Sequence, residues 1–458
     1  MKPSALILPV IFLLSTFAVA QEGEKLYLQY CSQCHGLDRK GGIGLNLTDD
    51  TWINVKPQKA ALVDYLQKGS PAKGMPAWKG IITDNTIATI ADYLLDSKTK
   101  NLSAPQTQTD IVDKYPELKN FRLPVGFSIS VYSDQVESAR SLAVSASGLV
   151  FVGSRQAGKV YAVVDSNKDY VADKVFTIAE GLDSPIGVTL LNGSLYVAEI
   201  SRILRFDNIE KTYDKSPTYT VVKDGLPNNK WHGYKVIEAG PEGKLYFEIG
   251  SPCNTCDKED DVYSKIYRMN PDGSNMEIVA RGIRNTVGLS WHPVTKELWF
   301  TDNGPDEFGD NLPSCELNHL TKIGQHFGFP YCHGGVVLDP QFGKNKSCDN
   351  YVAPAANLGP HVAPLGLAFN TGKQFPEQYK NQLFVAEHGS WNRTQKSGYR
   401  VSLVTLVNNK VASDTVFIDG FLQKEEVVGR PVDIDFLPDG SMLISDDYRG
   451  RLYRVSYQ

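Results

Sequence analysis

The sequence predicts an all-β six-bladed β-propeller with a small all-α domain at its N-terminus. One short phrase, a small turn followed by Leu and an aromatic or branched residue, recurs six times in order: "SGLVFVG" (147–153), "GSLYVAE" (193–199), "GKLYFEI" (243–249), "KELWFTD" (296–302), "NQLFVAE" (381–387) and "GSMLISD" (440–446). Each copy follows a short apolar strand such as "GVTLLN" or "VDIDFL" and precedes another such as "RILRFD" or "RLYRVS", the fourth copy having the weaker "CELNHL". Strand, turn, strand, loop, strand, repeated near every fifty residues, implies four-stranded blades around an axis. The composition agrees: 39 Gly, 25 Pro, 22 Tyr and 19 Phe suit many short strands joined by turns. Ahead of the repeats, "PQKAALVDYLQKG" and "TDNTIATIADYLLD" carry helical patterns instead.

The elements follow in chain order. Residues 1–20, "MKPSALILPVIFLLSTFAVA", start on Lys2, run apolar and end Ala-Val-Ala, which reads as a cleaved secretory signal peptide. An uncleaved anchor is the bland alternative, and the run is short for it. No later stretch is apolar enough to span a bilayer, so the mature chain is expected in an oxidising compartment, the periplasm. With 47 basic and 52 acidic residues the chain has no basic face for nucleic acid.

Residues 21–98 form the small domain, and "YCSQCHGLDRKGG" (30–42) is its signature. A zinc site would need a second ligand pair nearby, and none is present. A thioredoxin-like dithiol would sit in a βαβ pattern, also absent. Covalent haem c fits: the thiols of Cys31 and Cys34 bond the porphyrin, and His35 ligates the iron. Met75, forty residues on in "PAKGMPAWKG", is the expected second axial ligand. A loop Met taken alone is usually a packing residue; the upstream Cys-x-x-Cys-His changes that reading. From Glu22 to Lys98 the segment resembles a small class I cytochrome c.

Residues 99–118 read as a linker, because "DSKTKNLSAPQTQTD" (96–110) is polar with no apolar period. Residues 119–458 are the propeller, and "GFSISVYS" (126–133) is expected to close the ring against the terminal "RLYRVSY". A β-sandwich of unrelated hairpins would not repeat one phrase six times in order.

The innermost strand of each blade lines the axis, and the residues just before it lie on the top face. Those positions hold Arg140, Pro185, His232, Arg284 with Asn285, His361 with Pro364, and Arg430. A second set of loops adds "NGPDEFGDN" (303–311) and "EHGSWNR" (387–393). Arginines from separate blades with no acid nearby in sequence would repel one another, so they call for an anionic ligand: a polycarboxylate, a phosphate or a sulfate.

The segments "KWHGYKVIEAGPEGKLYFEIGSPCN", "RGIRNTVGLSWHP", "TDNGPDEFGDNL", "GQHFGFPYC", "VAPLGLAFN", "AEHGSWNR" and "GRPVDIDFLPDG" together resemble the soluble pyrroloquinoline quinone (PQQ)-dependent sugar dehydrogenases, and more closely their sorbosone dehydrogenase branch. The resemblance implies PQQ, a tricarboxylate, bound in the mouth with Ca²⁺. It makes His232 the catalytic base, Arg284 and Asn285 the pair at the quinone, and Arg430, with Arg140, a carboxylate ligand. Gly304 and Pro305 supply carbonyls for calcium. The family's cofactor lysine has no clear equivalent, leaving Arg393 or His388 to take its place. An aspartate that precedes the histidine in part of the family is Trp231 here, so imidazole orientation must come from elsewhere. His361 and Trp391 are candidate pocket residues, and His292 reads as structural.

What this implies is a quinohaemoprotein oxidising a sugar or hydroxy-aldehyde. His232 takes the hydroxyl proton with a pKa expected near neutrality, Ca²⁺ and Arg284 polarise the quinone, and electrons pass to the haem and on to a soluble cytochrome or terminal oxidase. Two other classes compete: a calcium-dependent lactonase-like hydrolase, and a non-catalytic electron-transfer or sensor module. Of the remaining cysteines, 253 with 256 and 332 with 348 are candidate pairs, with Cys315 left over.

Overall fold

A computed structural model describes residues 114–458 apart from 259–260 and, ahead of them, residues 23, 26–27, 30–36, 39, 44–48, 54–70 and 75–95. The expected signal peptide (1–20) and most of the expected linker lie outside the described residues. The chain divides into two compact units, Met1–Gln106 and Thr107–Gln458.

In the first unit, the helix Lys59–Lys68 buries Leu62 and Leu66, and the helix Asp84–Leu95 buries Ile87, Ile90, Ala91 and Leu94. The second set falls at i, i+3, i+4 and i+7, one stripe of a helix. The hydroxyl of Thr83 accepts the Thr86 N–H at 3.1 Å and starts that helix. Both stripes meet in one core with Tyr27, Cys31 and Tyr93, and Met75 and Trp78 pack against its edge. Among the described residues no helix is long and apolar enough to cross a membrane.

The second unit is a propeller of six four-stranded antiparallel sheets, one for each predicted repeat. Blades 1 to 5 run in chain order from innermost strands at Ala139–Val144, Gly187–Leu191, Ile237–Ala239, Gly288–Trp291 and Pro364–Phe369. Blade 6 begins at Pro431–Phe436 and takes its outermost strand, Phe127–Ser133, from the far end of the chain, where it pairs antiparallel with Arg451–Tyr457. The expected closure is therefore made. The repeated phrase is the second strand of every blade. Val150–Ser154, Leu245–Ile249, Leu298–Asp302, Leu383–Glu387 and Met442–Asp446 are buried along their whole length. A strand with a blade on either side has no wet face, which is why these runs are near-continuously apolar and not alternating.

The weak fourth repeat holds the third strand of blade 4, Ser314–Leu320, and its fourth strand, Ala356–Pro360, arrives only after a long insertion. The Cys332–Cys348 disulfide closes that insertion, Cys253–Cys256 closes a tight loop in blade 3, and Cys315 is free and buried. His292 is structural, its Nδ1 accepting the N–H groups of Val294 and Thr295 in a turn.

Candidate functional site

In the first unit, Cys31 and Cys34 bracket the helical turn Ser32–His35, and both thiols are free. Burial, reinforced by Cys34, pushes the Cys31 thiol up to about 12. That disfavours the Cys31 thiolate a zinc hook would need and leaves its S–H, the form that adds across a porphyrin vinyl group. His35 Nδ1 lies 2.8 Å from the carbonyl of Leu45. A carbonyl only accepts, so Nδ1 carries the proton and Nε2 keeps its lone pair for a metal. Gly44 is required beside it, since a Cβ there would come within 2.8 Å of the imidazole. Met75 is held in place by a two-way backbone pairing with Ser70. These residues fit a haem: paired thiols, an imidazole of the right tautomer and a thioether whose backbone is paired with Ser70.

In the propeller, His232 is placed by Ser251, whose carbonyl lies 2.9 Å from Nδ1. The same tautomer logic leaves Nε2 with its lone pair. This is the orienting group that the sequence did not reveal. Trp231, in the place of the family's aspartate, is instead exposed with its ring edge-on to the imidazole. Gly250 permits the approach, because a Cβ there would sit 2.7 Å from the His232 carbonyl oxygen and 3.1 Å from that of Arg284. Burial, then the charge of Arg284, lowers His232 to about 3, so it is firmly neutral rather than poised near neutrality as expected.

Arg284 is 3 % exposed and fully engaged. Its Nε donates to Asn254 O (2.8 Å), Nη1 to Asn303 O (3.2 Å) and Gly304 O (2.9 Å), and Nη2 to Asn254 Oδ1 (2.7 Å) and Asp306 Oδ2 (3.2 Å). A guanidinium has five N–H groups, and all five are used. The backbone N–H groups of Arg284 and Asn285 are fixed in turn by the Asp302 carboxyl at 2.8 and 2.6 Å.

The second cluster centres on Asp447, which the sequence reading missed. Arg140 Nη1 donates to Oδ2 at 3.0 Å, and His388 Nε2 to Oδ1 at 3.0 Å. Arg430 Nε is 3.1 Å from Oδ1, yet it is not aimed at that oxygen and makes no hydrogen bond, and Arg140 Nε likewise has none. Burial works against the Asp447 charge, but His388, Arg140 and Arg430 together hold its carboxyl well below the usual range. Arg155, also missed, adds a third guanidinium near Arg140 and lies over the Tyr234 ring at 4.2 Å.

Two expectations are corrected by this geometry. The arginines do have acidic partners: Asp447 for Arg140 and Arg430, and Asp306 for Arg284. Those acids sit on loops after second strands, far from the arginines in sequence, so inspection of neighbours could not find them. Nor do the three arginines share one cluster, since Arg140 and Arg430 meet at Asp447 whereas Arg284 belongs with His232. Of the two substitutes for the family's lysine, His388 joins Asp447, whereas Arg393 is tied to the carbonyls of Asp310 and Gln395. His361 braces the Gly309 carbonyl at 2.8 Å, and Trp391 is 77 % exposed.

The residues fit a polyanion: two buried guanidinium N–H groups without acceptors, from separate blades, are the donors such a ligand would satisfy. For calcium the donor type fits, since backbone carbonyls suit a hard cation and Gly304 O keeps a second lone pair beyond the one Arg284 uses. Among the described residues no group of three or more His, Cys, Asp or Glu side chains is placed to hold a metal, so carbonyl oxygens would carry such a site.

Comparison with known proteins agrees with the fold. A family model described as "TrAA12-like" matches residues 121–458, and one described as "Cytochrome C oxidase, cbb3-type, subunit III" matches residues 18–94. An uncharacterized protein of Borreliella burgdorferi is 35% identical over 356 residues, 74% of this chain and 91% of its own. An iodide structure of a Trichoderma reesei carbohydrate-active enzyme of family AA12 has a TM-score of 0.65 at 19% identity, covering 74% of this chain and 98% of that one. The holo PQQ domain of a pyranose dehydrogenase from Coprinopsis cinerea has a TM-score of 0.61 at 17% identity, covering 77% and 98%.

Proposed function

The chain belongs to the TrAA12-like family of PQQ-dependent sugar dehydrogenases, fused to a cytochrome c domain, and from that premise we propose that it is a periplasmic quinohaemoprotein oxidising an aldose or a related hydroxy-aldehyde. The observation that carries the reading is the pair of unsatisfied N–H groups on Arg140 and Arg430. They ask for a ligand with several negative oxygens, which PQQ, a tricarboxylate, would supply.

Arg140 and Arg430 would hold the carboxylates of PQQ, with His388 bracing their shared partner Asp447, Gly304 and Pro305 would hold a calcium ion, and Cys31, Cys34, His35 and Met75 the haem. When bound, PQQ supplies the two-electron acceptor, calcium a Lewis acid, and haem c the one-electron carrier. His232 receives the substrate hydroxyl proton at Nε2, while Nδ1–H stays on Ser251 O and keeps the ring in plane for that transfer. Arg284, with no donor to spare, acts as a fixed positive charge that favours negative charge developing beside it. Negative charge brought into the mouth opposes the field of Arg284 and raises the basicity of His232 from its resting value. Asn285, its backbone N–H fixed by Asp302, would offer its neutral side-chain amide to PQQ as a hydrogen-bonding group, and His361 shapes the rim loop.

Supplying PQQ, Ca²⁺ and an aldose to the purified protein should produce the sharpened ferrous band of its own haem. Absence of that band with every sugar of a panel, together with lactone hydrolysis, would favour the hydrolase. Onward transfer to a soluble cytochrome or terminal oxidase is read from the same band, by its reoxidation when the acceptor is added.

A further inference from the structure

The loop closed by Cys253 and Cys256 takes no part in the chemistry above, yet its hydrogen bonds run into the site. We propose that this disulfide loop is the positioning element for His232 and Arg284, acting through Asn254 and Ser251, and that opening the disulfide releases both. The inference rests on the dehydrogenase reading only for its kinetic consequence.

Asn254 lies inside the four-residue ring. Its carbonyl and its Oδ1 take two of the five guanidinium N–H groups of Arg284. The same Oδ1 accepts the N–H of Asp306 at 3.0 Å, and Nδ2 donates to the Asp306 carbonyl at 3.0 Å. One amide thus ties blade 3 to the blade 4 loop that carries Gly304 and Pro305. Aspartate could not replace it, having no donor, and alanine would lose both ends. Ser251 leads into the ring: its carbonyl orients His232, its hydroxyl donates to Cys253 O at 3.1 Å, and the sulfurs of Cys253 and Cys256 lie 3.2 and 3.7 Å from that hydroxyl. The ring therefore holds both partners of the catalytic pair, and both cysteines are half-buried, within reach of a small thiol.

Opening the ring needs a reductant, for which a dithiol serves. Its two thiols give up two electrons and two protons, the Cys253–Cys256 bond breaks into two thiols, and the dithiol closes into its own disulfide. Asn254 is then free to swing away. A buried Arg284 stripped of two acceptors is costly to leave in place, so it moves toward solvent and its field at His232 weakens. The groups facing the imidazole are Arg284, the Ser251 carbonyl and Trp231.

The test follows the imidazole itself in the PQQ-free protein, by ¹⁵N NMR titration of the ring nitrogens, with the His232 signals identified by their loss in His232→Gln. Asn254→Ala and the double variant Cys253→Ser/Cys256→Ser should each raise the His232 midpoint by about one pH unit. Dithiothreitol on the unaltered protein should do the same, which covers the case of a variant that does not fold. Cys332→Ser/Cys348→Ser should leave the midpoint in place. In the PQQ-loaded protein the acid limb of kcat/KM should move by the same amount. An unmoved midpoint in folded Asn254→Ala, or in protein whose Cys253–Cys256 bond mass spectrometry shows to be reduced, overturns the proposal. Because the titration needs no sugar, it stands or falls apart from the dehydrogenase assignment.

Discussion

At the scale of single residues, the site depends on which nitrogen of His232 is free. Ser251 O fixes that, and His232→Ala should lower kcat/KM by about 10²- to 10⁴-fold while the haem spectrum of the reduced protein is unchanged. The same histidine makes a stability prediction. Its folded pKa, about 3, is below the ordinary 6.5, so the unfolded chain binds the proton first as pH falls. The contribution is whole above about pH 6.5 and is lost progressively down toward pH 3. Urea unfolding at steps between those values should show stability falling more steeply in the native protein than in His232→Gln. His232 and Arg430 were singled out in the sequence by lying ahead of innermost strands, and Arg140 by lying at the start of one. Asp447, Arg155 and Asn254 were not. Each acts through a partner that lies elsewhere in the sequence, and no local pattern marks such a pairing.

At the scale of elements, the acid that ends the repeated second strand has a common task. Glu199 accepts the Asp183 N–H at 2.7 Å, Asp302 the N–H groups of Arg284 and Asn285, and Asp446 those of Arg430, Tyr448 and Arg449. In each case a buried carboxyl pins a loop on the face where the site residues gather. Four of the six quoted repeats end on an acid, in "VAE" twice, "FTD" and "ISD", and three of these acids pin backbone, Glu387 instead accepting from the Arg400 and Ser402 side chains; the run of apolar residues drew attention to the strand and not to its end. Burial raises Asp302 to about 6 and Asp446 to about 6 against the pull of those N–H groups, which marks how deeply they are set. Asp302→Ala removes an acceptor shared by two backbone donors and should cost about 3 kcal/mol by denaturant titration. Asp302→Asn keeps the volume but replaces one of the two acceptor oxygens with a donor, so it should cost less than alanine yet remain clearly destabilising; an Asp302→Asn variant as stable as the native protein would mean that Asp302 only fills space.

At the scale of the whole molecule, the ring is closed by strands from opposite ends of the propeller, and the haem unit precedes the closing strand Phe127–Ser133. Six-fold repetition made that architecture readable from sequence, whereas the relation of the two units was not encoded in any repeat. A covalent connection has one kinetic consequence that needs no knowledge of their geometry. A haem joined to the propeller by a short polar segment meets it at an effective concentration on the order of millimolar, far above the concentration of the protein in an assay. Electrons leaving the propeller should therefore reach the haem of the same chain first. In a single turnover with PQQ-loaded protein and saturating sugar, the rate of ferrous band formation should stay constant across a hundredfold dilution. A chain with Cys31→Ala and Cys34→Ala, mixed in excess with the native protein to supply haem-free propellers, should raise the amount of ferrous haem only slowly and in proportion to its concentration. A native rate that itself fell in step with dilution would mean that electrons pass between chains, and the fusion would then serve co-delivery of two proteins instead of internal transfer.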